Sequence, residues 1–263
     1  MELIAVEIVS FFIVAGILFE HRCSRKGSIQ SREDPITPVG FSYLFYLVVS
    51  IITHLSMRGY LYLVPWFSMG ITLTHMLSIP TYILFWMRAI ERRLLPKQRV
   101  RILERVQFGM LGLAAIATFS DLAFHRLFIF SEAGRYIEGS GLLYLNYLSG
   151  LFILIQVIAL FYRWHRIPSY IRMLFLFSSL FLLLSLVFFE WFRQPYLLGL
   201  SSTFMLLLSY LVWQRRELSL DLLTRIPNYT AYIEHLKHVV LTHQKTTILM
   251  LDIENFRLIN SRY

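Results

Sequence analysis

The sequence predicts an α-helical membrane protein: seven transmembrane helices, amino terminus outside and carboxyl terminus in the cytoplasm, followed by the start of a small α/β domain. Three observations predict it. Of the 263 residues, 57% are hydrophobic and only 16% are charged, with a mean hydropathy of +0.59; a soluble domain is about 45–50% apolar and about 25% charged. Seven apolar stretches approach or reach the roughly 17–25 residues a helix needs to cross the hydrocarbon core. Lys and Arg gather in alternate connections, as cytoplasmic loops require.

The apolar stretches are 3–19, 41–57, 65–87, 106–124, 141–162, 173–189 and 196–213. They are apolar on every face, so they read as helices, which satisfy their own backbone groups in lipid, rather than as the alternating strands of a barrel. The first stretch follows Glu2 and contains Glu7, with no basic segment before it and no small-residue cleavage pattern after it, so it is expected to stay in the mature protein. The connections after stretches one, three and five hold fourteen Lys and Arg, among them Arg22, Arg25, Arg88, Arg92, Arg99 and Arg163; the alternate ones hold four, Arg58, Arg126, Arg135 and Arg193. That asymmetry sets the orientation, and an odd number of spans is consistent with it. The net charge of +9 therefore marks cytoplasmic loops beside the lipid bilayer, and no nucleic-acid partner is expected. A single Cys23 excludes a disulfide framework.

Polarity becomes ordinary at Gln214. The expected organisation is a transmembrane domain over 1–213, a short linker over 214–220, and a tail over 221–263. Within the tail, Pro227 and Asn228 mark a turn, Tyr229 to about His243 has helical spacing, and TTILMLDI ending at Ile253 reads as a short buried strand.

Two blocks in the tail carry the chemistry. DLLTRIPN (221–228) followed by DIENFRLIN (252–260) resembles the opening of GGDEF domains, the catalytic module of diguanylate cyclases. Asp221, Leu223, Thr224, Pro227 and Asn228 match the first block of that family, and Asp252, Ile253, Phe256, Ile259 and Asn260 match the second. The resemblance implies that Asp252 and the main-chain carbonyl of Ile253 hold Mg²⁺ (or Mn²⁺) on a bound GTP. It implies that Phe256 and Arg257 line the phosphates and that Asn260 meets the guanine edge. Two such domains then face one another in a homodimer and join two GTP into cyclic di-GMP. A carboxylate at the end of a strand suits this role, since open α/β sheets bind ligands there and Mg²⁺ favours one or two carboxylates plus phosphate oxygens.

The departures from the family pattern are Arg225 for Gly, Tyr229 for Arg, Glu254 for Asp and Ser261 for Asp. The sequence reaches only Tyr263, short of the GG[DE]EF hairpin, so the resemblance implies the input half of a cyclase that is inactive in this form, in a bacterial inner membrane. Two rivals stay open: a catalytically dead membrane regulator, and a small-solute transporter with an incidental tail.

Several polar residues fall near the outer helix ends: Glu7, His54, Asp121, His125 and Glu190. Asp121 and His125, four apart, share a helical face. Ionisable groups at membrane depth are costly and face a bundle interior or water. These five are therefore candidates for an outward-facing pocket that binds a small ligand or senses pH; the alternative places them at headgroup level. His75 and Pro80 lie within the third stretch, where a lone His reads as a packing residue. Tryptophans such as Trp66, Trp164 and Trp213 flank the spans as interfacial belts. The short linker suggests that the seventh helix moves the cytoplasmic domains directly.

Overall fold

The computed structural model describes residues 2–25, 36–95, 97–162, 169–192, 195–218, 221, 224, 226–241, 245–252 and 254. Eight helices are found among them: α1 (Glu2–Arg25), α2 (Ile36–Met57), α3 (Pro65–Leu94), α4 (Lys97–Phe124), α5 (Gly141–Tyr162), α6 (Ser169–Phe192), α7 (Pro195–Leu218) and α8 (Tyr229–Leu241). A two-stranded antiparallel hairpin, β1 (Ile129–Phe130) and β2 (Tyr136–Glu138), joins α4 to α5. The chain divides into two compact units, Met1–Leu211 and Val212–Tyr263.

In the first unit α3 is central, packing against α2, α4 and α5, while α1 lies on α2 and α6 on α5. Local chemistry sets its ends. Pro65 occupies the first turn, where its missing N–H costs nothing. Leu95, which precedes Pro96, is extended at ψ 153°, as the residue before a proline must be. The buried side chains Leu47, Leu73, Ile83, Leu84, Met87, Phe152 and Ile153 fill the space between α2, α3 and α5. Elsewhere large apolar side chains point outward, among them Phe12 and Phe19 on α1, Leu113 and Ile116 on α4 and Ile158 on α5. Apolar surface on that scale marks a contact with membrane or partner.

Among the described residues four helices are long and apolar enough to cross a membrane: Ile4–Cys23, Ile36–Met57, Gln98–Phe124 and Gly141–Ala159. The apolar stretches of the sequence predict seven. Shorter apolar stretches, Phe175–Phe188 and Gly199–Val212, lie in α6 and α7. In α3 the hydropathy is lowered by Ser68, Thr72, Thr74, His75, Ser78, Thr81 and Tyr82. These polar groups are accommodated because α3 lies inside the bundle and several hydroxyls bond its own backbone. Thr72 donates to the carbonyl of Ser68 at 2.9 Å, Thr74 to that of Gly70 at 2.8 Å and Thr81 to that of Leu77 at 2.8 Å.

In the second unit the expected helix is present as α8, but the expected strand is not. Residues 245–252 have no regular secondary structure, and Leu249, Met250 and Leu251 are exposed. A strand is stabilised by neighbours, and the described residues of this unit hold no other strand to pair with it.

Candidate functional site

The structure joins two of the five candidate pocket residues. Glu7, in the second turn of α1, is buried and His54, in the last turn of α2, is half-buried, and His54 Nδ1 lies 3.2 Å from Glu7 Oε2. Ser50, one turn before His54, donates to Glu7 Oε1 and lies 3.3 Å from His54 Nδ1. Ionisable side chains from two helices therefore share one hydrogen-bonded centre, as a group buried among helices must.

His75 extends this centre onto α3. Its ring meets the His54 ring edge-on at 5.6 Å between centroids and stacks on Tyr46 at 5.5 Å. Its Nε2 is buried with no hydrogen-bond partner. Tyr46 in turn stacks on Tyr43 at 5.6 Å and tilts against Tyr82 at 5.4 Å. The hydroxyls of the last two reach α7: Tyr43 Oη donates to the Gly199 carbonyl and lies 2.8 Å from Thr203 Oγ1, and Tyr82 Oη lies 2.6 Å from Ser202 Oγ. Beside them, Tyr43, Tyr82, Trp86, Leu182 and Ser202 help line a cavity of about 10 Å³, room for about one water molecule. A continuous set of polar and aromatic side chains thus runs from α1 through α2 and α3 to α7. The sequence signals Glu7 and His54 by their cost at membrane depth. It does not signal His75 or the tyrosines, whose adjacency exists only once three helices pack.

Asp121 and His125 do not join that centre. Asp121 is buried at the end of α4, but its carboxylate accepts the backbone N–H groups of Arg126 and Leu127 at Oδ1 and of Phe128 at Oδ2, at 2.7–2.8 Å. It ties down the chain that leaves the helix. His125 is exposed, with a left-handed φ of 49°, and its backbone N–H donates to the Asp121 carbonyl at 2.8 Å. The signal for this role is positional: an Asp in a helix's last turn can accept the first free N–H groups beyond it. Glu190 lies in the last turns of α6, and its side chain falls outside the described residues.

A second polar centre joins α3 to α4 beyond the apolar stretch of α3. Gln107 Nε2 donates to Glu91 Oε1 at 2.8 Å, and both residues are fully buried. Burial pushes the Glu91 carboxyl up to about 7, against the pull of the Gln107 N–H and with some help from the Glu104 charge. Glu91 Oε2 and Gln107 Oε1 have no donor. A proton on Glu91 supplies the donor these two acceptors lack, giving an acid–amide pair. Alongside, Glu104 accepts from Arg88 Nε at 2.6 Å and Arg92 Nε at 2.8 Å.

In the tail, Asp221 Oδ1 accepts both the N–H and the hydroxyl of Thr224 at 2.8 Å, closing a turn. Asn228 Oδ1 accepts the N–H groups of Thr230 at 3.0 Å and Ala231 at 3.3 Å, capping α8. Asp252 is exposed. Ile253, Phe256, Arg257 and Asn260 lie outside the described residues. Among the described residues no three His, Cys, Asp or Glu side chains gather as a metal site. The exposed carboxylate of Asp252 has the hard-oxygen chemistry that a Mg²⁺ held mainly by phosphate and water requires.

Compared with protein-family models, curated proteins and solved structures, the chain matches none.

Proposed function

We propose that this chain is the membrane-embedded input half of a diguanylate cyclase. Seven helices, α1 to α7, cross a bacterial inner membrane with the amino terminus outside, and the tail begins a cytoplasmic GGDEF domain that works as a homodimer. The observation that carries this reading is the ordered pair of motif blocks, 221–228 and 252–260. The roles of three matched residues support it: Asp221 and Thr224 close a turn at the domain entrance, and Asn228 caps the helix that follows.

In this reading GTP binds with Mg²⁺ or Mn²⁺, which supplies charge neutralisation at the phosphates. Asp252 and the Ile253 carbonyl would hold the metal. Phe256 and Arg257 would pack and pair with the phosphate chain, and Asn260 would select guanine by its edge. The membrane half contributes a buried ionisable centre, which is expensive to keep and therefore points to sensing.

The test is to express the natural gene through its own stop codon and assay membranes for cyclic di-GMP from GTP and Mg²⁺. Product is expected, and Asp252→Ala should abolish it while the protein stays in the membrane. A complete gene product that makes none with either metal removes the cyclase reading.

A further inference from the structure

We propose that Glu7, His54 and His75 form one proton-binding site, and that its charge is reported through Tyr46, Tyr43 and Tyr82 to α7. The proposal rests on the sensor reading above and names the ligand of that sensor, the proton.

Three features of the centre support this. First, its parts come from three helices, α1, α2 and α3, so a change in charge acts on how those helices pack. Second, among the described residues the groups facing it are Glu7 from α1, Ser50, Tyr43, Tyr46 and His54 from α2, and His75 and Tyr82 from α3. One carboxylate thus faces two imidazoles. A proton on His54 makes a charge-neutral pair with Glu7, whereas a second on His75 has no carboxylate of its own. Third, the buried His75 Nε2 has no partner, although nearly all buried polar atoms do. Among the described residues this ring stacks on Tyr46 and meets His54 edge-on. It turns when the charge beside it changes.

The route onward is made of contacts already described. A charge on His54 lies against the edge of the His75 ring, whose face stacks on Tyr46, so it is felt at Tyr46 through that ring. Tyr46 bears on both Tyr43 and Tyr82, and their hydroxyls are the ones that hold Thr203, the Gly199 carbonyl and Ser202 of α7. Proton uptake at α1 and α2 therefore reaches the helix that leads to the cytoplasmic tail without any larger ligand.

The experiment uses the 263-residue chain in lipid nanodiscs, with its eight histidines and fifteen tyrosines isotopically labelled, titrated by NMR without nucleotide. The His54 and His75 signals are expected to move together, with a midpoint separate from that of exposed His125. Glu7→Gln should lower the His54 midpoint by about one pH unit or more, since it removes the partner of the cation. His54→Gln should shift the His75 midpoint, and Tyr46→Leu should leave the His54 response but remove the change at tyrosine signals. The wild-type titration alone can overturn the proposal: His54 and His75 that move independently, or not at all, remove the shared site. That failure is distinct from the failure of the cyclase reading, which is judged by cyclic di-GMP from the complete gene.

Discussion

Replacing Glu91 with Gln should make the protein more stable in alkali and leave it unchanged in acid. The folded carboxyl is raised to about 7 by burial, against an ordinary value of 4.5. The folded protein therefore holds this proton more tightly than the unfolded chain. Its contribution to stability is complete below about 4.5 and is lost as pH rises through about 7. At about 1.4 kcal/mol per pH unit, the difference amounts to roughly 3 kcal/mol. A glutamine keeps the bond from Gln107 Nε2 and adds its own N–H to the unpaired Gln107 Oε1, and it does not ionise. Arg88, Arg92 and Glu104, the charged groups nearby, are common to both proteins. The assay is thermal unfolding in detergent, followed by tryptophan fluorescence. The two proteins should melt alike at about pH 5, and the variant should melt roughly 6–12 °C higher at about pH 8.5. A variant that melts no higher than wild type in alkali would refute the acid–amide pair.

Three further outcomes follow from the described geometry. Asp121→Ala leaves three backbone N–H groups without their acceptor and should cost about 3 kcal/mol in unfolding measurements. Because the residue anchors a loop, histidine titration at His54 should be unchanged. Gly134→Ala should cost about 1–3 kcal/mol, since Gly134 has φ 72° and a Cβ there would run into the Pro65 carbonyl at the start of α3; a melting temperature equal to wild type would show that the hairpin does not seat there. On the proposed cyclase reading, a flexible Gly-Ser insertion after Arg216 in the product of the natural gene should uncouple cyclic di-GMP output from external pH while leaving basal synthesis intact. Coupling that survives the insertion would show that α7 is not the transmitting element.

Helices and polar centres differ in how far the sequence discloses them. The apolar runs locate α1 to α7, because long stretches without charge have few other structures open to them. Their ends are less legible: α3 continues to Leu94 and α4 begins at Lys97, since Arg, Glu and Lys are good helix formers outside the apolar stretch. The hairpin between α4 and α5 is short and depends on Asp121 and on two left-handed glycines, Gly134 and Gly139, so no periodicity announces it. The strand expected at 246–253 shows the opposite failure, because its apolar pattern is satisfied only by a neighbouring strand. For the site, cost at membrane depth singles out Glu7 and His54. The same reasoning treats Asp121 as equivalent to them, although nearby backbone supplies its partners. His75 reads in sequence as a packing residue, because its importance lies in what stands across from it.

The proline within α3 gives its two polar centres a mechanical relationship. Pro80 has no N–H to offer the helix, so the carbonyl of Met76 lacks its usual bond in the turn just above. Ser78 and Thr81 add hydroxyl bonds to the His75 and Leu77 carbonyls around the same point. Helices bend most easily where the ladder is interrupted in this way. His75 lies above that joint and Glu91 below it, so α3 acts as two levers sharing a pivot rather than as one rod. A tilt imposed at one end is partly absorbed at Pro80, so the contacts around His75 and the Glu91–Gln107 pair can each shift without forcing the other's geometry.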